Sequence, residues 1–316
     1  MNKKTLSATT ALASIMALSS VQADVTVGGT FNGLWGSGDS YASQERISVT
    51  ESAYVTYTDT LDNGIGIEGT MAYESGAGTG TDNAGDFDIS FISDMGTVSF
   101  GNGLSGGPVD SMDSHPVKSS FASSRKLPQG LSADYEDGDG VTGAAGFDDS
   151  NQIVYTSPKI NGFTVKAGIG FGTTAGYDDI MAYSISGKIA GFSVKGGIVD
   201  EGNTDSRTGD ENYMIGIKAP KLAGYTIGYG LYDSDSGDSY TVIGVKTPKI
   251  PGLDATFQYE YFDVDNTGST ADDDGSIASL QKSFGGGVKA SIEYHVASVG
   301  SNEDVENFFI GYKIGF

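Results

Sequence analysis

The sequence has no cysteine among its 316 residues and only two histidines, His115 and His295. No disulfide bond can therefore hold the fold together, and a metal site built from cysteine and histidine ligands is excluded. Neither histidine has a motif partner for catalysis. The composition therefore favours neither an enzyme nor a protein that depends on a cofactor.

Basic residues are also few. The chain has 18 lysines and arginines against 41 aspartates and glutamates, which gives a formal net charge of −23. Nucleic acid is thereby excluded as a partner, because phosphate binding requires a basic surface. An acidic excess of this size favours contact with cations or strong solvation.

Long apolar runs are absent after residue 23, so no later segment has the ~20 predominantly apolar residues of a membrane-spanning helix. At the N-terminus, Lys3 and Lys4 precede an apolar stretch at 6–18, and Ala23 ends the segment. This pattern predicts a secretory signal peptide over residues 1–23. Residues 24–316 then form the mature domain, with 16 basic and 41 acidic residues and a net charge of about −25.

The sequence does contain a strict alternation of polar and apolar residues. In one segment the apolar positions are Leu253, Ala255, Phe257, Tyr259 and Tyr261, and the polar positions between them are Asp254, Thr256, Gln258 and Glu260. A β-strand places alternate side chains on opposite faces, so this segment predicts a strand with one apolar face. The same alternation recurs along most of the chain.

A short turn motif also recurs. Lysine, an aliphatic residue, any residue, glycine and a bulky apolar residue follow one another from Lys159, Lys188, Lys221 and Lys249, at intervals of 29, 33 and 28 residues. The glycine suits a tight turn between two strands. The repeating unit is therefore a hairpin together with its outer loop.

The alternation and the turns predict sixteen strands. We expect them near 24–36, 46–60, 64–74, 86–93, 96–102, 151–157, 163–171, 179–187, 192–199, 211–219, 225–232, 239–247, 253–263, 276–284, 288–297 and 306–316. Connections at one end are short, and those at the other are mostly long and acidic. Transmembrane barrels divide their loops in this way, and one of about 16 strands encloses an aqueous channel. The predicted fold is all-β, a 16-stranded antiparallel transmembrane β-barrel.

The last strand, Asn307 to Phe316, alternates to its end and stops at phenylalanine. Together with the signal peptide, it resembles the closing strand of Gram-negative outer-membrane general-diffusion porins. The segment Gly96 to Asn102 is similar to the fifth strand of the alphaproteobacterial type. The resemblance implies the cell outer membrane, contact with its lipid and lipopolysaccharide, a homotrimer, and recognition of Phe316 by the barrel-assembly machinery.

The resemblance also implies that the long third loop, about 103–150, folds into the pore and narrows it. Its constriction acids would include Asp110, Asp113, Asp134 and Glu136, although 131–149 is either part of the constriction or an added outer piece. Alternation directs five lysines toward the pore wall: Lys166, Lys195, Lys218, Lys289 and Lys313. Loop acids opposite wall lysines would set a transverse field that sorts solutes. The lysines are otherwise ordinary solvated residues of the lumen.

These features predict a water-filled channel for passive diffusion of ions and small hydrophilic solutes. We expect a weak cation preference, because the acidic surplus raises the local concentration of cations. The acidic outer loops either hold divalent cations loosely or are simply solvated. Two alternatives stay open: a substrate-selective outer-membrane channel, toward whose lumen Tyr232 would point, and a secreted, acidic, β-rich calcium-binding adhesin. An enzyme is not expected, because His295 is predicted to face the lumen beside Glu293 rather than the lipid.

Overall fold

The computed structural model describes residues 24–39, 46–75, 87–102, 108, 151–171, 179–200, 211–234, 239–265, 273–298 and 304–316. The predicted signal peptide and nearly all of the long loop at 103–150 lie outside these residues. In the described part of the chain, no helix is long and apolar enough to cross a membrane.

The described residues form sixteen strands that close into one antiparallel barrel. The strands are β1 (Asp24–Gly38), β2 (Arg46–Thr60), β3 (Gly66–Ser75), β4 (Phe87–Ser93), β5 (Gly96–Asn102), β6 (Asn151–Thr156), β7 (Thr164–Phe171), β8 (Ile180–Ile189), β9 (Phe192–Asp200), β10 (Glu211–Lys218), β11 (Thr226–Ser234), β12 (Ser239–Lys246), β13 (Ala255–Asp265), β14 (Asp273–Gly285), β15 (Val288–Ser298) and β16 (Val305–Gly315). Each strand pairs with its neighbours in the chain, and β16 pairs with β1. The predicted fold is confirmed, and every predicted strand end lies within three residues of the observed one.

The recurring lysine motif forms tight hairpin turns. In three of the four copies the two central residues both have positive φ, at Asn161 and Gly162 (52° and 87°), Ala190 and Gly191 (49° and 87°), and Ala223 and Gly224 (50° and 86°). Two consecutive positive φ values are the signature of a type I′ turn, whose twist matches that of the flanking strands. The motif therefore sets the position and the register of these hairpins.

The fourth copy differs because proline stands at its first central position. Pro251 has φ fixed near −65° and cannot adopt the positive value of a type I′ turn. The turn is therefore longer: Ile250 bridges to Ala255, and the positive φ values fall on Gly252 (82°) and Asp254 (53°). The predicted start of β13 at residue 253 is consequently wrong by two residues, since the strand begins at Ala255.

The barrel has two ends, which we call the short-turn end, where even-numbered strands finish, and the long-loop end, where odd-numbered strands finish. Apolar side chains cover the outside along the strands between these ends, with Ile215 and Ile310 exposed by 49% and 47%. Outward aromatic side chains lie near both ends of the strands: Phe192, Tyr225 and Phe316 at the short-turn end, and Tyr73, Phe87, Phe171, Tyr261 and Phe308 at the long-loop end. An apolar band flanked by aromatic girdles is the outer surface of a membrane barrel.

The seam between β1 and β16 closes the ring. Gly29 and Phe316 exchange two backbone hydrogen bonds of 3.1 Å, and the Phe316 ring stacks on Phe31 at 5.7 Å between centroids. A Cβ atom at Gly29 would lie 2.5 Å from the backbone oxygen of Ser52, so only glycine fits beneath this ring. The terminal phenylalanine thus packs over the closing seam, and its role as an assembly signal stays a prediction.

Candidate functional site: the inner wall of the barrel

The strand register places all five predicted wall lysines on the inner face. Lys218 pairs with Ser193 and Gly228, whose neighbours along the strands, Val194 and Ile227, lie on the outer face. Lys289 and Lys313 stand directly opposite each other on β15 and β16. All five are at least partly accessible to solvent: Lys166, Lys195, Lys218, Lys289 and Lys313.

A sixth inward lysine was missed by the sequence analysis. Lys246 is the last residue of β12 and pairs with Thr226 and Gln258, so alternation along β12 was sufficient to place it on the inner face. It is close enough to Lys218, Lys221 and Lys289 for their charges to act on it. The inner wall at the short-turn end is therefore basic along much of β7–β16.

The same strands carry a different surface toward the long-loop end. There the inward side chains of β6–β15 form a buried apolar cluster, and Tyr232 stacks on Tyr240 at 5.5 Å between ring centroids. Phe262 and Ile277 are both 0% exposed, although each points to the inside of the barrel. The members of the cluster are Val154, Ala182, Val199, Met214, Tyr232, Tyr240, Val242, Phe262, Val264, Ile277 and Ala297. At this level the wall is packed, and these side chains do not line free water.

A buried polar pair adjoins the apolar cluster. His295 and Glu293 both point inward on β15, their side chains are fully buried, and Nε2 of His295 lies 3.2 Å from a carboxylate oxygen of Glu293. The Phe309 ring packs edge-on against His295 at 4.8 Å. Burying such polar groups is tolerable only when they are hydrogen-bonded to each other or to neighbours. The position of His295 beside Glu293 is the one that the alternation predicted.

The inner face of β1–β5 is polar instead. Hydroxyl groups pair across neighbouring strands, at Thr30 and Ser52 (2.8 Å), Thr56 and Thr70 (3.3 Å), and Ser90 and Ser99 (2.7 Å). Glu68 and Asp88 also point inward from β3 and β4, close enough for the charge of Glu68 to act on Asp88. The sequence analysis overlooked both acids, although the alternation of β3 and β4 assigns them to this face.

The wall itself therefore carries a charge asymmetry. Among the accessible inward side chains, two acids lie on β3 and β4 and six lysines on β7, β9, β10, β12, β15 and β16, whereas the inward acids of β13–β15, Glu260, Asp273 and Glu293, are buried. The predicted loop acids Asp110, Asp113, Asp134 and Glu136 lie outside the described residues. Within the described part, no three histidine, aspartate or glutamate side chains are grouped as a metal site.

A family model described as Gram-negative porin matches residues 8–313. The chain belongs to the Gram-negative porin family. The predicted resemblance is thereby confirmed, and the porin lies in the outer membrane of the Gram-negative cell. A comparison with curated protein sequences finds no significant match.

Solved porin structures have the same fold. A triple mutant of the Rhodopseudomonas blastica porin superposes with a TM-score of 0.71 at 15% identity, covering 93% of this chain and 100% of the other. A loop-deletion mutant of OmpT, an outer membrane protein of Vibrio cholerae, superposes with a TM-score of 0.68 at 14% identity, covering 94% and 100%. At such low identity the likeness concerns the barrel alone. Family and fold are those of a channel rather than of an enzyme.

Proposed function

We propose that this porin is a water-filled channel for the passive diffusion of ions and small hydrophilic solutes. The observation that carries the proposal is an inner wall with accessible lysines, hydroxyl groups and acids around a closed ring with an apolar exterior. Reconstitution into planar bilayers should produce stepwise, voltage-independent conductance in salt. Vesicles that contain the folded porin and stay impermeable to ions would contradict it.

A weak cation preference accompanies this channel. Residues 24–316 carry a net charge of about −25, and such an excess raises the local cation concentration. Reversal potentials measured across a bilayer under a KCl gradient should have the sign of K⁺ selectivity. The opposite sign would remove this part of the proposal and leave the channel itself intact.

Two inner tyrosines of β11 and β12 favour diffusion over dedicated sugar binding, and the inner Tyr54 of β2, 39% exposed, is the one inward ring among the described residues of β1–β5. A substrate-selective channel of the aromatic type needs rings that a passing solute can touch. Tyr232 and Tyr240 are only 1% and 2% exposed, because they are packed in the apolar cluster. We therefore expect no saturable block of the conductance by neutral sugars, and a block in the millimolar range would favour the substrate-selective alternative.

Three further features belong to the same proposal. Residues 1–23 direct export, the loop at 103–150 folds into the pore and narrows it, and Phe316 is recognised by the barrel-assembly machinery.

The porin is a homotrimer in contact with lipid and lipopolysaccharide, and acidic loops hold divalent cations loosely. The outward-facing Glu51, which is paired with Phe31 across the β1–β2 ladder, supports a protein-facing wall at β1–β5. Cross-linking of the lysine amines of the folded porin with glutaraldehyde should yield trimers, whereas monomers alone would contradict the assembly.

A further inference from the structure

The most unusual charge arrangement on the described inner wall is a group of inward lysines that form no ion pair with another described residue. We call Lys218, Lys246, Lys289 and Lys313 the lysine patch. All four lie near the short-turn end: Lys218 and Lys246 end β10 and β12, Lys289 is the second residue of β15, and Lys313 is third from the end of β16. In the described part of the chain, none of the four has a carboxylate within ion-pair distance.

The first observation is the pair on β15 and β16. Lys289 and Lys313 are directly opposite each other in the antiparallel ladder, so their Cβ atoms are about 5 Å apart. Like charges in this position destabilise a sheet. The other register neighbours, Ser283 beside Lys289 and Asn32 beside Lys313, bring no negative charge to offset the repulsion.

The second observation comes from a different strand. Lys246 is half-buried on β12, and the charges that act on it are those of Lys218, Lys221 and Lys289. Two strands, β13 and β14, lie between β12 and β15 in the sheet order, so the long side chains bring charges from separate parts of the wall together. A concave wall lined by charges of one sign focuses the field on the space that it encloses.

We propose that the lysine patch is a binding site for the phosphoryl group, as inorganic phosphate or as a small phosphorylated solute. Lysine ammonium groups bind phosphate as point charges, each with donors that can turn toward the ligand. A phosphomonoester carries a charge of about −1.5 to −2 at pH 7, so one ligand relieves several repulsions at once. Chloride, with a single charge and no fixed geometry, cannot bridge lysines from different strands in this way.

The patch is compatible with a channel that prefers cations. The acidic surplus is spread over the whole chain, whereas the patch occupies one end of the lumen and one side of it. Bound phosphate would neutralise the patch and strengthen the cation preference. Phosphate binding and ion conduction are separate properties, so each can be tested without the other.

The direct test is calorimetric titration of the folded porin in detergent micelles at pH 7 and low ionic strength, with inorganic phosphate in one arm and glycerol phosphate in the other. Each arm should show saturable binding. The double variant Lys289→Gln/Lys313→Gln should bind about tenfold more weakly. The arm with the tighter binding identifies the source of the phosphoryl group.

The matched control removes two lysines that lie away from the inner wall. Lys249 is paired with Asp254 in a turn at 2.7 Å, and Lys282 lies over the Phe284 ring at 5.4 Å, so Lys249→Gln/Lys282→Gln changes the net charge equally. Phosphate binding should stay within about twofold of the parent in this control. Equal weakening in both double variants, or no binding to the parent, would overturn the proposal.

A second variant covers the case in which the first fails to fold. Lys246→Gln leaves the β15–β16 ladder untouched and should weaken phosphate binding about threefold to tenfold. In bilayers, chloride conductance of the parent reports the channel independently of phosphate. Conductance without phosphate binding would overturn only the site, and phosphate binding without conductance would overturn only the channel.

Discussion

The inner face of β1–β5 and the inner face of β6–β16 differ in polarity and in burial. In β1–β5 many inward side chains are hydroxyls and acids, and hydroxyls pair across strands, as at Ser90 and Ser99. In β6–β16 the inward side chains toward the long-loop end are buried and many are apolar, as at Phe262 and Ile277, with buried polar residues such as Asn212 and His295 among them. The comparison shows that an inward position in a wide barrel is not necessarily a wet one.

This difference changes how the residue pattern of a strand relates to its surroundings. The rule that lipid-facing residues are apolar and lumen-facing residues polar holds at most positions of β1–β5, with the outward-facing Glu51 as an exception. In β13 it holds as far as Glu260 and then fails, because Phe262 and Val264 are inward and buried while Tyr261 faces outward. We call β1–β5 the first arc and β6–β16 the second arc. A strand of the second arc therefore contributes to stability through both of its faces. A strand of the first arc contributes mainly through its outer face and its backbone hydrogen bonds.

Truncation of a buried inward side chain should separate the two arcs most strongly. Ile277→Ala removes buried methylene and methyl groups from the packed wall and should lower the free energy of unfolding by about 2–5 kcal/mol. The matched change in the first arc, Thr70→Ala, removes one hydroxyl pair with Thr56 and should cost about 0.5–1.5 kcal/mol. Urea unfolding of both variants in detergent micelles, followed by tryptophan fluorescence, measures the two values. Equal losses would show that the arcs do not differ in packing.

The buried pair on β15 tests the polar part of the same wall. Glu293→Leu leaves the ring of His295 without the acceptor at 3.2 Å in a site that excludes water. Loss of a buried hydrogen-bond partner should lower the free energy of unfolding by about 1–3 kcal/mol. The comparison variant Glu68→Leu, on the partly accessible inner face of β3, should cost less than half as much. Urea midpoints for the two variants give the ratio, and a greater loss at Glu68 would contradict the contrast.

The barrel was predictable from the sequence because its signals are local. Period-two alternation placed each strand, and the lysine motif placed the hairpins through Asn161, Ala190 and Ala223 with their following glycines. One of these turns differs from the others because of Pro251. The proline is visible in the sequence, but the lysine motif allows any residue at that position. Closure of the ring depends on the β1–β16 pairing, which the even strand number and the terminal Phe316 indicated.

The packed inner wall was not predictable in the same way. Whether Phe262 or Tyr240 faces water or other side chains depends on what covers it in three dimensions, and alternation says only which face it occupies. Lys246, Glu68 and Asp88 were within reach of the alternation argument, since each has a definite register. Their mutual distances depend on the curvature of the barrel and on side-chain length, which no single strand encodes.

The lysines at the short-turn end should show the opposite sign of effect from the packed wall. Lys289→Gln removes a like charge directly opposite Lys313 and should raise the free energy of unfolding by about 0.2–1 kcal/mol at low ionic strength. Screening by salt should abolish the gain, because the Debye length falls to about 3 Å at 1 M. Urea unfolding in phosphate-free buffer at two salt concentrations measures it. A loss of stability at low salt would mean that Lys289 has a favourable partner.

The smallest expected effect lies in the turn that differs from the other three lysine motifs. Lys249 donates to Asp254 at 2.7 Å on the exposed surface, and this contact holds the pKa of Asp254 below its ordinary value. Because the folded-state pKa is lowered, the contribution to stability is complete above the ordinary aspartate range and is lost as the pH falls below about 4. The stability difference between the parent and Asp254→Asn, measured by urea unfolding, should therefore be small at pH 7 and vanish near pH 2. A difference that persists at pH 2 would contradict the charge explanation, because a φ of 53° suits asparagine as well as aspartate and the substitution leaves the backbone of the turn unstrained.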